Sequence, residues 1–149
     1  MRDTPERYGS LSRWFHWGIA VLVLWQFLKL GDRINDGEHW VGLTLVSWHI
    51  SIGFLILTLG ILRVLWAIKQ HPHRPKLTGP LAPLARIGHI LLYIVMLLLP
   101  VLGILYMTGR GYGLKVFGQQ LIARSDTEIG WMVSVGSLHS PLALLFVLL

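Results

Sequence analysis

Seven histidines punctuate the chain, and their placement is uneven. His16, His49, His89 and His139 lie in or at the edges of four long apolar runs, one per run. His39, His71 and His73 sit among polar residues and read as solvated loop histidines. An ionisable side chain in an apolar run is costly unless something pairs with it. A hydrogen bond to a neighbouring helix would satisfy any one of the four. Four together, one per run, point to shared chemistry: neutral imidazole is a metal ligand and an axial ligand of haem iron. The chain has no cysteine, which excludes disulfides, thiolate zinc sites and covalent haem attachment through C-x-x-C-H.

Depth sorts the four. His16 and His89 lie near one end of the first and third runs, and His49 lies near the opposite end of the second. His139 is on the same side as His49, about 12 Å into the fourth run at 1.5 Å per residue. Haem held by two histidines needs rings facing one another from different helices at one level, and His49 with His139 meets that condition. Depth alone would pair His16 with His89. Two haems stacked in this way would carry electrons from one face to the other. Gly53 follows His49 on the same helix face and leaves room for a flat macrocycle, although close helix packing would use a glycine equally well. Arg63 lies about 21 Å inward of His49 on a similar face. There it can pair with a haem propionate or snorkel to the interface. Pro100 and Pro141 can kink the third and fourth runs or be tolerated there.

These residues must be carried by membrane helices. The apolar runs are Trp14 to Leu30, Leu43 to Ile68, Ile87 to Met107 and Ile129 to Leu149. Helices over about 12–30, 43–68, 87–107 and 129–149 are expected, in a single domain spanning 1–149. Each run approaches the roughly 20 residues a membrane helix needs. Hydrophobic residues make up 54% of the chain and charged residues 13%, about half the charged share of a soluble domain. Polar segments separate the runs: Gly31 to Glu38, the proline-broken Lys69 to Lys76, and Gly109 to Glu128 with Gly109, Gly111 and Gly113. The expected fold is all-α, a transmembrane four-helix bundle running up-down-up-down with haem between the helices.

Charge sets the expected orientation. The net charge is +6, but it is spread over loops, and no P-loop or G-x-G-x-x-G pattern occurs. Nucleic acid and nucleotides are therefore not expected partners. Eight basic residues (Arg2, Arg7, Arg13, Arg63, Lys69, Arg74, Lys76 and Arg86) fall on one side, against five (Lys29, Arg33, Arg110, Lys115 and Arg124) on the other. The richer side is cytoplasmic by the positive-inside rule, which places the N-terminus there. Trp14, Trp17 and Trp66 then mark the inner interface, and Trp40, Trp48 and Trp131 the outer one. The basic loop Lys69 to Lys76 would touch anionic lipid headgroups. Arg110 and Lys115 on the outer side could hold propionates or attract an anion.

The sequence also resembles a known family. Ser12-Arg13-Trp14-Phe15-His16-Trp17, Trp48-His49-Ile50-Ser51-Ile52-Gly53 with Arg63, Leu84 to Tyr93 followed by Leu99-Pro100-Val101-Leu102-Gly103, and Leu138-His139 occur in the order found in bacterial cytochrome b561 proteins. That group is related to the cytochrome b subunits of nickel–iron hydrogenases. The resemblance implies a di-haem b-type cytochrome of a bacterial-type inner membrane. It would exchange electrons with ubiquinone or a related quinone in a respiratory-type chain. It also implies that the outer haem sits between His49 and His139. The inner haem would use His16 and a second histidine about four turns beyond His139. The sequence ends at Leu149, so a truncated fourth helix and only one of the two haems b are expected, with His89 as the fallback inner ligand. Some relatives of this type are superoxide:ubiquinone oxidoreductases, the alternative function. A non-redox assembly or transport protein is the reading from another class. A redox partner protein, membrane lipid and a homodimer are the other partners this leaves open.

Overall fold

A computed structural model describes residues 2–32 and 40–148. Most of the expected Gly31 to Glu38 turn, with Arg33, Asp36 and Glu38, and the neighbouring His39 lie outside the described residues.

Helix α1 covers Ser10–Gln26. Phe27 keeps a right-handed helical backbone, and the chain runs on into α2, Leu28–Asp32. Two short elements follow, α3 (Trp40–Thr44) and a 3₁₀ turn at Val46–Trp48, before the long α4, His49–Gln70. The second helix thus reaches its continuous stretch later than hydropathy alone suggests. A further 3₁₀ turn, His71–His73, ends it where Pro72 and Pro75 interrupt the backbone ladder. Helix α5 covers Ala82–Gly109 and starts five residues before the expected Ile87. Pro83 sits in its first turn, where a missing N–H costs nothing.

The segment after α5 is more ordered than a loop. Strands β1 (Leu114–Val116) and β2 (Gln119–Ile122) form an antiparallel hairpin. Its two turn residues, Phe117 and Gly118, have φ of 46° and 85°, the left-handed pair that a two-residue type I′ turn requires.

The fourth apolar run is not one helix but two, α6 (Gly130–Gly136) and α7 (His139–Phe146). Pro141 has no N–H to give the carbonyl of Ser137, so the ladder breaks there. Ser137 and Leu138 stay in the right-handed helical region, so the break is a kink and the chain continues onward. The kink makes His139 the first residue of α7.

Neighbouring helices run antiparallel. Trp66 Nε1 donates to Ser12 Oγ at 2.8 Å and Gln26 Nε2 to the His49 carbonyl at 3.0 Å, which pins opposite ends of α1 and α4 together. Arg63 meets Tyr93 between α4 and α5. Glycines form the seam between α5 and the fourth run. A Cβ on Gly109 would lie 2.7 Å from Met132 Cβ, and one on Gly136 would lie 2.5 Å from the Tyr106 nitrogen. Such close backbone approach is typical of membrane helix contacts.

The core is small: Ile19, Ile52, Ile56 and Met96, with Phe15 and Leu59 among the residues packed on it. Large apolar side chains instead cover the outside, Ile68 at 67%, Leu84 at 66% and Trp17 at 66% exposed among them. Two helical stretches, Gly42–His73 and Ala82–Gly109, are long and apolar enough to cross a membrane. A predominantly helical chain with its apolar surface turned outward suits lipid as its surroundings.

Candidate functional site

The kink in the fourth run and the start of α4 bring two histidines together. The rings of His49 and His139 are 5.9 Å apart at their centroids and nearly perpendicular, at 81°. Both are half-buried. Nδ1 of His139 lies 2.8 Å from the Leu99 carbonyl oxygen. A carbonyl only accepts, so Nδ1 carries the proton and Nε2 is the free, basic nitrogen. Gly103, one turn along α5 from Leu99, makes this approach possible. A Cβ there would sit 3.2 Å from His139 Nδ1 and 3.3 Å from Cε1.

The expected pairing of His49 with His139 is thus present as a geometry. Gly53 faces something other than open space: its Cβ would meet Gln26 Nε2 at 3.1 Å. That amide donates to the His49 carbonyl, and its Oε1 is buried without a partner. Gln26, Gly103 and the Leu99 carbonyl escape a reading of the sequence that looks only for ligands. The one signal for them is the run Leu99-Pro100-Val101-Leu102-Gly103, where a proline and a glycine fall within one helical turn.

The donor set can be tested against the group the sequence suggests. Metal–imidazole bonds are about 2 Å long, so two rings bonded to one ion from opposite sides stand roughly 6 Å apart at their centroids. The observed 5.9 Å agrees. Among the described residues no group of three or more His, Asp or Glu side chains converges. A pair alone suits an ion whose remaining ligands come with it, as in a haem. The residues present fit.

The opposite end of the bundle is built differently. His16 on α1 receives Arg63 Nη2 at 3.3 Å on its Nδ1, while Arg63 Nε donates to the Tyr93 hydroxyl at 3.1 Å. The Arg63 guanidinium also lies 5.4 Å from the Tyr93 ring centre. His89 also lies within electrostatic reach of His16. His16, Arg63 and His89 thus lie at one level, and Arg63 directs two of its five N–H donors to His16 and Tyr93.

One turn further toward that end, the N-terminal segment is tied down. Asp3 is 3% exposed. Its carboxylate accepts from the Ser12 hydroxyl at 2.6 Å, the Gly9 N–H at 2.8 Å and Arg74 Nε at 3.0 Å, and its own N–H donates to Gln70 Oε1 at 3.1 Å. Burial alone would raise the Asp3 pKa. The hydrogen bonds from Ser12, Gly9 and Arg74, with the charge of Arg74, outweigh it and hold the carboxyl below its ordinary value.

At the His49 end of the bundle a cleft of about 640 Å³ opens between α4, the end of α5 and the hairpin. Arg110, Lys115 and Arg124 line it with Tyr112, and Ile50, the neighbour of His49, forms part of its wall. Arg110 is held by Glu128 at 2.8 Å. His71 and His73 are exposed, as expected.

Comparison with known proteins gives a consistent picture. The sequence model of the family described as prokaryotic cytochrome b561 matches residues 7–149. A relative named cytochrome b561 homolog 2, from Escherichia coli (strain K12), is 33% identical over 146 residues, 95% of this chain and 77% of that protein. A relative named probable superoxide oxidase CybB, from Yersinia pestis, is 29% identical over 118 residues, 76% of this chain. The aligned part spans 65% of that second protein, just under two thirds of its length.

Proposed function

Because this chain belongs to the prokaryotic cytochrome b561 family, a family of membrane cytochromes that implies haem b, we propose that it transfers electrons between haem b and a quinone, ubiquinone or a relative, in the inner membrane. The observation that carries the reading is the His49–His139 pair, 5.9 Å apart, with one ring's tautomer fixed by a backbone carbonyl. His49 and His139 are the residues that would hold the haem iron. Haem held there supplies one-electron exchange at its iron, with no bond made or broken in the substrate-facing residues.

The protein's own residues do the rest. Leu99 and Gly103 hold His139, Gln26 anchors the first carbonyl of α4, and the exposed apolar helices keep the pair in lipid. The chain crosses the membrane up-down-up-down as one domain, 1–149, with its N-terminus in the cytoplasm. His16 is the next ligand candidate, for an inner haem, with His89 beside it and Arg63 placed to meet a propionate once it leaves His16.

The test is a reduced-minus-oxidised spectrum with pyridine haemochrome quantification on the chain and on His49→Ala and His139→Ala. Haem b bound by the parent and lost from both variants is the expected result. A parent without a Soret band after haem-replete expression overturns the reading.

The outer cleft favours a second reading. Three basic side chains and one acidic one, Asp126, line a cavity whose wall includes the neighbour of His49, and one relative carries the name probable superoxide oxidase. An anionic one-electron donor such as superoxide would be drawn to that mouth and would leave as dioxygen, its electron taken by a haem held at His49 and His139. Superoxide:ubiquinone oxidoreduction is accordingly the alternative activity.

A further inference from the structure

We infer that Gly103 and the Leu99 carbonyl are positioning elements for the outer iron ligand: the missing side chain at Gly103 lets His139 reach the carbonyl, and that hydrogen bond sets the ligand's tautomer and basicity. The inference rests on the bis-histidine reading above and goes beyond it, by assigning a role to two residues of α5 that touch no iron.

The argument starts from spacing. Leu99 and Gly103 are one helical turn apart on α5, so they share a face, and that face is turned to α7. His139 packs edge-on into the gap, 3.2 Å from where a Gly103 Cβ would be. This contact is tight enough that any added atom must push the ring away. The ring is also fixed from behind. Gly136 brings the backbone of the fourth run against Tyr106, and Pro141 starts α7 at His139 itself. The helix seam therefore determines where the imidazole stands, and the 2.8 Å bond to Leu99 determines which nitrogen is left for the metal. An N–H donated to a carbonyl increases the electron density of the opposite nitrogen, as outer-shell partners of metal-bound histidines do generally. A more basic ligand favours the ferric over the ferrous state.

Three measurements test this. In Gly103→Ala the ring must shift by a few tenths of an ångström and the Leu99 bond lengthens. Haem affinity should fall by about 10- to 100-fold, the usual cost of losing such a partner. The midpoint potential of the outer haem should rise, by about 59 mV for each tenfold loss in the ferric-to-ferrous affinity ratio. Gly88→Ala, on the same helix with open space around it, should move neither. Because Gly103→Ala could also lose its haem through poor packing, the third measurement uses the unaltered protein. With ¹⁵N-labelled histidine, the ferrous low-spin form should show a slowly exchanging Nδ1–H from His139, identified in the parent by its nuclear Overhauser contact with Gly103, which lies beside that nitrogen. A parent that binds haem while Gly103→Ala keeps its affinity and potential, or a parent lacking that protected proton, overturns the inference. A parent that binds no haem overturns the function proposed above instead.

Discussion

Nη2 of Arg63 lies 3.3 Å from Nδ1 of His16, and the relationship is the reverse of the one at His139. Arginine has no acceptor, so Nδ1 of His16 must accept and Nε2 carries the proton. At His139 the carbonyl of Leu99 forces the opposite tautomer. The two ends of the bundle are thus set differently. The outer histidine presents a free Nε2, and the inner one withholds it until Arg63 is displaced.

The first prediction follows from that difference. Titrating haem into the haem-free chain should fill the outer site first. His49→Ala should remove the tight phase. His16→Ala should leave the first equivalent intact and affect only a weaker second phase, if one is seen. Loss of the tight phase in His16→Ala would show that the tautomer argument fails.

Asp3 should behave as a clamp on the inner end. It joins the N-terminus to α1 through Ser12, to the end of α4 through Gln70 and to the following loop through Arg74. Asp3 accepts three hydrogen bonds, from Ser12, Gly9 and Arg74, each worth about 0.5–1.5 kcal/mol net, so Asp3→Ala should lower the unfolding midpoint clearly in detergent. The pH dependence has a definite sign. The folded pKa of Asp3 is below its ordinary value, so its contribution is complete above the unfolded pKa of about 3.9 and is lost as pH falls through the lower folded value. Asp3→Ala should flatten that acid limb. An unchanged limb would assign the acid sensitivity to other carboxylates.

How much of this the sequence could disclose depends on the kind of signal. The membrane helices were legible because lipid demands long apolar runs, and the His49–His139 level was legible because helical rise converts position into depth. The hairpin was not, although Phe117-Gly118 between short alternating segments carries the X-Gly signature of a two-residue turn. Three earlier glycines made the whole segment read as a loop. Pro141 warned of a kink but not that His139 would open the new helix. The seat of His139 was hidden for a deeper reason. It consists of a backbone carbonyl and an absent side chain, and neither is visible until α5 and the fourth run are placed together. Arg63 was assigned the right level, but its bonds to His16 and Tyr93 depend on the rotation of α1 about its axis, which periodicity does not fix.

The outer cleft yields a prediction about charge. Glu128 holds Arg110 at 2.8 Å, while Lys115 and Arg124 share the cleft with Asp126 and form no ion pair among the described residues. If an anion enters here, Lys115→Gln with Arg124→Gln should slow its reaction several-fold at low salt and flatten the salt dependence, since steering is screened over about 10 Å at 0.1 M. Glu128→Gln should act in the opposite direction by releasing Arg110. Stopped-flow measurement of superoxide consumption at several ionic strengths reads both. Rates that ignore all three changes would remove the steering argument and, with it, the structural support for the superoxide reading.

The glycine seam gives the last prediction. Gly109 and Gly136 lie where α5 and the fourth run touch backbone to backbone, and a methyl group at either would come within 2.7 Å of Met132 or 2.5 Å of Tyr106. Neither clash can be relieved by rotating the far end of a flexible side chain, because the nearest atoms belong to the opposing backbone or to a Cβ. Gly136→Ala and Gly109→Ala should therefore each cost about 1–3 kcal/mol as overpacking. They should also loosen haem by moving His139 away from Leu99. Gly18→Ala and Gly88→Ala place the same methyl group in open space. There only the gain in helix propensity applies, roughly 0.5–1 kcal/mol, so those variants should be neutral or slightly stabilised. Comparing four glycine-to-alanine changes in one bundle separates packing from propensity. Thermal unfolding in detergent, followed by the Soret band and by far-ultraviolet dichroism, should show the two signals falling together for the seam variants and unchanged for the controls. Equal behaviour of all four would mean that α5 and the fourth run are not held at backbone contact.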